Sequence, residues 1–150
     1  MEPTKTNPSI EDTIILATNA HRGQKDLDGK PVILHPLAVG LAGSNETEIL
    51  CGLLHDVVED TSYTFEDLLE MGYSTEVVDT LRLLTHPKGA PYMDYIEGIC
   101  RSGNPYALAV KLNDLRHNIA RGKAGGHLKQ YEKHTRAMEW IENFLRETRA

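Results

Sequence analysis

Apolar residues recur along this chain at three- and four-residue intervals, and no stretch shows the alternation of a strand. The clearest case lies at residues 50–61. There Leu50, Leu53, Leu54, Val57 and Val58 fall at i, i+3, i+4, i+7 and i+8, the stripe of a helix with one buried face. Ser9 caps an earlier helix carrying Ile10, Ile14, Ala17 and His21, which ends at Gly23. Pro36 suits the first turn of a short helix to about Leu41, and His35 stands at its accessible mouth. Asn45 with Glu48 opens the central helix. Further helices are predicted from Phe65 to Met71, after the Ser74 cap, and from Tyr92 to Cys100. Asn104-Pro105 then caps a helix with Leu108, Leu112, Leu115 and Ile119 on one face and Lys111, Asp114, Asn118 and Arg121 on the other. Residues 122–126 read as a flexible glycine-rich loop carrying Lys123, and 127–148 as a last helix burying Tyr131, Met138, Ile141, Phe144 and Leu145. The pattern predicts an all-α fold: a loose tail at residues 1–8 and one helical domain over 9–150.

The second face of the central helix changes the picture. It carries Gly52, His55, Asp56, Glu59 and, at its edge, Asp60. Asp56 lies three residues from Glu59 and four from Asp60, so like charges face one another near the end of the helix that disfavours anions. Two explanations stand: a solvated acidic surface, or a cation held against the helix, with a neutral imidazole beside carboxylates favouring a divalent metal. The flanking apolar residues favour burial, and burial makes uncompensated charge expensive.

At 150 residues the chain has room for one domain with a sizeable core. Its net charge of −6 argues against general binding of nucleic acid or an anionic membrane, since both need a basic surface. A small anionic substrate is compatible, because a local metal and a few basic groups can reverse the sign inside a cleft. Cys51 and Cys100 sit in apolar helical patterns and read as buried free thiols. The sequence shows neither a signal peptide nor a long apolar run, so a soluble, cytoplasmic protein is expected.

Three separated pieces carry candidate chemistry: His35, the His55-Asp56 pair, and Asp114. Two imidazoles and two carboxylates form a mixed set suited to a transition metal rather than calcium or magnesium. Spacing leaves their convergence open.

Four runs, His21-Arg22-Gly23-Gln24, Pro31-Val32-Ile33-Leu34-His35-Pro36, the segment from Leu53 through His55-Asp56 and Glu59-Asp60 to Thr61, and Val110-Lys111-Leu112-Asn113-Asp114-Leu115-Arg116-His117-Asn118, resemble the HD-domain phosphohydrolases. More narrowly they are similar to the hydrolase domain of the RelA/SpoT group and its small stand-alone SpoT homologues. The resemblance spans about residues 21–118. It implies His35, His55, Asp56 and Asp114 as ligands of one divalent transition metal, Mn²⁺ in that group. It implies Glu59 and Asp60 as the catalytic acidic pair that positions or activates water, and Asn118 as a substrate contact. Lys111, Arg121, Lys123 and Lys25 are the basic groups expected along the substrate, with Lys88, Tyr92 and Tyr95 on an opposite wall. The implied activity is a 3′-pyrophosphohydrolase acting on (p)ppGpp-like nucleotides.

The chain departs from the group at Asp26 and Leu27, which stand where those proteins carry Arg-Lys against the guanine base, and at Leu115-Arg116, which inverts the usual order. Base recognition is what these changes touch. Two alternatives follow: an HD phosphohydrolase of another nucleotide or phosphorylated metabolite, and a nucleotide-binding regulatory module without turnover. The intact acidic pair argues against the second, because binding alone has no need of it. The chain carries no synthetase motif, and no synthetase activity is expected.

Overall fold

A computed structural model describes residues 6–149. The elements are α1 Ile10–Ala20, α2 Leu34–Leu41, α3 Glu46–Leu54, α4 Val57–Asp60, α5 Phe65–Glu70, α6 Thr75–Leu83, α7 Tyr92–Arg101, α8 Pro105–Gly125 and α9 Leu128–Arg149. Among the described residues there is no strand; an isolated bridge between Lys25 and Pro31 closes the charged loop after α1. The fold is all-α, as the periodicity predicts. The side chains of Ser9, Asn45, Ser74 and Asn104 each accept a backbone N–H of the helix that follows, satisfying donors that a helix start leaves unpaired. Thr64 and Asp67 add a reciprocal capping box at α5. Of the loose tail expected at residues 1–8, positions 1–5 lie outside the described residues; Asn7 is held, its Oδ1 accepting the Ser74 N–H at 2.7 Å.

Two apolar clusters form the interior. One gathers Ala17, Val39, Leu50, Leu54, Val57, Leu68, Val78 and Val110; the other gathers Ile96, Leu115, Ala137 and Ile141 between α7, α8 and α9. Helix α8 contributes to both, so Lys111 and Asp114 on its polar face are buried and Asn118 is half-buried. Helices α2 and α3 cross at two glycines. A Cβ on Gly52 would lie 2.8 Å from the Cα and N of Gly40, so the crossing demands a residue without a side chain. That crossing sets the distance between His35 and His55. Cys51 and Cys100 are buried free thiols.

The structure corrects three readings. Residues 50–61 are not one helix: α3 ends at Leu54, and His55 and Asp56 form a turn before α4. The turn puts Asp56 at the start of α4, where its carbonyl accepts the Asp60 N–H at 2.9 Å, and frees its carboxylate from the face an unbroken helix would impose. The expected loop at 122–126 is the last turn of α8. Glycine costs a helix interior about 1 kcal/mol relative to alanine, but Gly122 packs against the Tyr131 backbone, where a Cβ would meet it at 3.4 Å. The turn closes at Gly126 (φ 72°), with His127 N–H bonded to the Gly122 carbonyl and Gly126 N–H to that of Lys123. Finally, His35 is 3% exposed: α8 covers the mouth of α2.

Candidate metal centre and cleft

Three segments meet at one point. The first turn of α2 supplies His35, the α3–α4 turn supplies His55 and Asp56, and the middle of α8 supplies Asp114. His35 Nε2 is 2.7 Å and His55 Nε2 is 3.2 Å from Asp114 Oδ1. Asp56 Oδ2 lies 3.2 Å from His55 Nε2 and 3.9 Å from His35 Nε2. Donor atoms of His35, His55 and Asp114 all fall within 4.8 Å of one another, and Asp56 stands beside the two imidazoles, outside that group.

The far nitrogen of each imidazole is engaged. His55 Nδ1 is 2.6 Å from the Gly52 carbonyl oxygen, so it donates there and leaves Nε2 facing the Asp56 and Asp114 carboxylates. His35 Nδ1 is 2.6 Å from His117 Nδ1, so the two share one proton, and His35 Nε2 faces the Asp114 carboxylate at 2.7 Å, the position a cation would take over from the proton between them. Fixing the tautomer from behind is how metal-ligating histidines are commonly held. Burial lowers the His35 pKa. Burial acts the same way on His55, but the Asp56 and Asp114 carboxylates outweigh it and raise that pKa well above its usual range. Asp114 is held well below the usual carboxylate range against its burial by Lys111 and the two histidines. The donor set therefore concentrates negative charge where a divalent cation can take the protons' place, and its mixed nitrogen and oxygen chemistry fits a transition metal.

The centre opens onto two adjoining cavities of about 250 and 710 Å³. Both are walled by His35, Asp56, Asp60, Asn118, Arg121 and His134. Glu59 joins the smaller, and both acids of the pair stand at its exposed edge. Desolvation in the cleft, reinforced by the Asp56 charge, raises the pKa of each. Asn118 donates to Asp114 Oδ1 at 3.1 Å and accepts from Arg121 Nε at 2.8 Å, tying the guanidinium to the centre. Lys111 is buried with Nζ 2.9 Å from Asp114 Oδ2, so it stands in the wall as the partner of a candidate ligand. Lys25 lines the larger cavity. Lys123 does not reach either; it is exposed and borders a separate pocket with Leu128 and Tyr131. Tyr92 and Tyr95 line the smaller cavity, whereas Lys88 is absent from both walls.

Asp26 does not project freely toward a ligand. Its Oδ1 accepts the N–H groups of Asp28 and Lys30, both at 2.9 Å, and Oδ2 lies 3.8 Å from Arg121 Nη1. It builds its own loop and offers a weak ion pair to Arg121. The loop is further tied by Gln24, which donates to the Asp60 carbonyl at 3.0 Å, and by Asp28, 2.8 Å from His127 Nε2.

Sequence reasoning passed over His117, Lys133 and His134. His117 lay inside a motif already singled out. Gln130 and His134 fall at i and i+4 on the last helix, a polar pair on one face, but nothing in the sequence shows that this face closes the cleft.

No protein-family model matches the chain. A GTP pyrophosphokinase of Streptomyces coelicolor is 34% identical over 149 residues, 93% of this chain and 17% of that protein. A guanosine-3′,5′-bis(diphosphate) 3′-pyrophosphohydrolase of Danio rerio is 39% identical over 88 residues, 53% of this chain and 48% of that protein. A solved metazoan SpoT orthologue superposes with a TM-score of 0.60 at 24% identity, covering 95% of this chain and 98% of that one. The chain belongs with the HD-domain proteins of the RelA/SpoT group. It spans 17% of the length of the Streptomyces relative. Against the RelA/SpoT pattern, the inverted pair after Asp114 has a simple outcome: Leu115 is fully buried and Arg116 is outside, bonded to Asn113 Oδ1 at 3.0 Å. The inversion leaves the ligand face of α8 intact.

Proposed function

We propose that this chain is a metal-dependent phosphohydrolase, a guanosine-3′,5′-bis(diphosphate) 3′-pyrophosphohydrolase acting on (p)ppGpp-like nucleotides. The observation that carries the reading is convergence: His35, His55 and Asp114 come together from three separate segments with Asp56 beside them, and two carboxylates of raised pKa stand at the edge of the same cleft. His35, His55, Asp56 and Asp114 would hold one divalent metal, Mn²⁺ in this reading. When bound, such a cation supplies Lewis acidity toward a phosphoryl oxygen and lowers the pKa of water beside it. The chain does the rest. Glu59 and Asp60 orient the attacking water and accept its proton, and their raised pKa values bring them nearer the working pH of a general base. Asn118 and Arg121 border the phosphate path, with Lys25 along the larger cavity and Lys111 steadying Asp114; a role for Lys123 would need movement of the end of α8. A nucleotide substrate is consistent with an acidic protein acting in the cytoplasm.

One observation favours a second reading, hydrolysis of another nucleotide or phosphorylated metabolite. Asp26 is tied into its loop and Leu27 is 68% exposed, so neither supplies a stacking cation at the wide end. The test is direct. Purified protein with Mn²⁺ is offered ppGpp and a panel of nucleotides, and released pyrophosphate or phosphate is measured. Conversion of ppGpp to GDP and pyrophosphate supports the first reading. Cleavage of a different nucleotide with ppGpp untouched supports the second.

A further inference from the structure

We propose that Tyr92, Lys133 and His134 form a donor wall that binds the phosphoryl oxygens of the substrate beside the metal centre. The inference rests on the phosphohydrolase reading of this cleft and names residues outside every motif that led to it. All three line the smaller cavity together with His35, His55, Asp56 and Asp114. Tyr92 comes from the first turn of α7, and Lys133 and His134 from α9, so the wall is built by packing the C-terminal helix across the opening.

Two features ask for a ligand. Nδ1 of His134 is shielded from solvent and has no hydrogen-bond partner in the protein, and the equally shielded hydroxyl of Tyr92 has only the Lys111 ammonium near it, without a well-formed hydrogen bond, a state that buried polar groups rarely keep. The ring of Tyr92 also lies under two ammonium groups, Lys133 Nζ at 4.2 Å and Lys111 Nζ at 5.5 Å from its centroid. Lys111 is committed to Asp114. Lys133 has no carboxylate within ion-pairing distance among the described residues, so its charge is available to the cavity.

The donor character of the wall follows from burial. Desolvation raises the Tyr92 pKa, which keeps its proton on oxygen. Desolvation lowers the His134 pKa to about 4, which keeps the ring neutral with one N–H to give. A hydroxyl and an imidazole N–H set into the wall of one cavity, with an ammonium beside them, select a ligand rich in acceptor oxygens and negative charge. Beside a metal centre, a phosphoryl or pyrophosphoryl group has that chemistry.

Inorganic pyrophosphate is the probe. It is titrated calorimetrically into wild type and into Tyr92→Phe, His134→Leu and His134→Gln, all saturated with Mn²⁺, and Mn²⁺ affinity is measured separately on each. Tyr92→Phe and His134→Leu are expected to weaken pyrophosphate by about tenfold, the worth of one hydrogen bond to a charged group. His134→Gln, which keeps an N–H, should lose less than His134→Leu, and Mn²⁺ affinity should stay unchanged throughout. Tyr92→Phe keeps the ring and both lysine contacts, so it decides the question even if His134→Leu does not fold. Wild-type affinity in folded Tyr92→Phe overturns the wall and leaves those donors to water. Absence of pyrophosphate binding to wild type overturns it as well. Pyrophosphate binding with the expected losses, but no turnover of any phosphoester, upholds the wall and rejects the phosphohydrolase reading.

Discussion

Asp56, Glu59 and Asp60 show how one short run divides its labour. The turn at His55-Asp56 draws Asp56 toward the two imidazoles, while Glu59 and Asp60 remain at the cleft edge. The pair is thus separable from the candidate ligands by mutation. Glu59→Gln and Asp60→Asn should keep metal binding and the melting temperature while lowering kcat by about 10²- to 10⁴-fold, the usual worth of a general base. Steady-state kinetics alongside a metal titration checks this; turnover within threefold of wild type in both variants would place water activation elsewhere. His134 gives a pH prediction. Burial holds its folded pKa at about 4, against about 6.5 in an unfolded chain. As pH falls from 6.5 toward 4 the unfolded state takes up this proton first, so the residue's contribution to stability declines over that window and levels off below it. In metal-free protein, His134→Gln should therefore show a shallower fall of melting temperature between pH 7 and 4 than wild type. Parallel curves would mean that the imidazole is hydrated in the folded state.

Helices α2 and α3 carry the geometry of the centre through their closest point. Gly52 touches the Gly40 backbone, and the Gly52 carbonyl receives the His55 Nδ1 proton. A methyl at Gly52 must push the helices apart, because its nearest neighbours are backbone atoms that cannot rotate away. Gly52→Ala should cost about 1–3 kcal/mol, the range for overpacking, and should weaken metal binding although no ligand is changed. Gly40→Ala meets Leu53 at Cγ (2.7 Å) and Cδ2 (2.9 Å) and the Ile49 carbonyl oxygen at 3.2 Å; a side chain can yield more than the backbone atoms that face Gly52, so its effect should be smaller. Thermal denaturation and metal affinity of the two variants rank them, and equal effects would remove the steric argument. At the other end of the fold, the glycine-rich turn closing α8 was read as a loop because local propensity dominates a short window. The backbone of α9 supplies what the window lacks: a surface on which the last turn of α8 packs, with Gly122 against Tyr131.

Across the whole molecule, the candidate metal centre joins α2, the α3–α4 turn and α8, elements far apart in the chain. A cation bound there stabilises only the folded state, so stability should depend on its concentration. Addition of Mn²⁺ at about a hundred times its dissociation constant should add about 2.7 kcal/mol, seen as a rise in melting temperature that a chelator reverses. His55→Ala should abolish the rise. A rise that persists in that variant would mean the ion binds elsewhere.

Local order was legible in the residues themselves. Periodic apolar positions gave the helices, because a helix with one buried face must repeat near 3.6 residues. Ser9, Asn45, Ser74 and Asn104 marked their starts, because a helix start needs acceptors for its free N–H groups. The candidate ligands were legible as residue types in motifs, since His and Asp beside apolar runs are costly without a role. Convergence was not. The meeting of His35 with Asp114, the break that turns Asp56 inward and the covering of the cleft by α9 depend on contacts between residues remote in the chain, and no local pattern encodes a distance across the core. The same reason governs Asp26 and Lys111. Sequence gave each a charge, but only the folded chain decided that Asp26 spends its charge on its own loop and Lys111 on Asp114, because a charge acts on whatever the fold brings within a few ångströms of it.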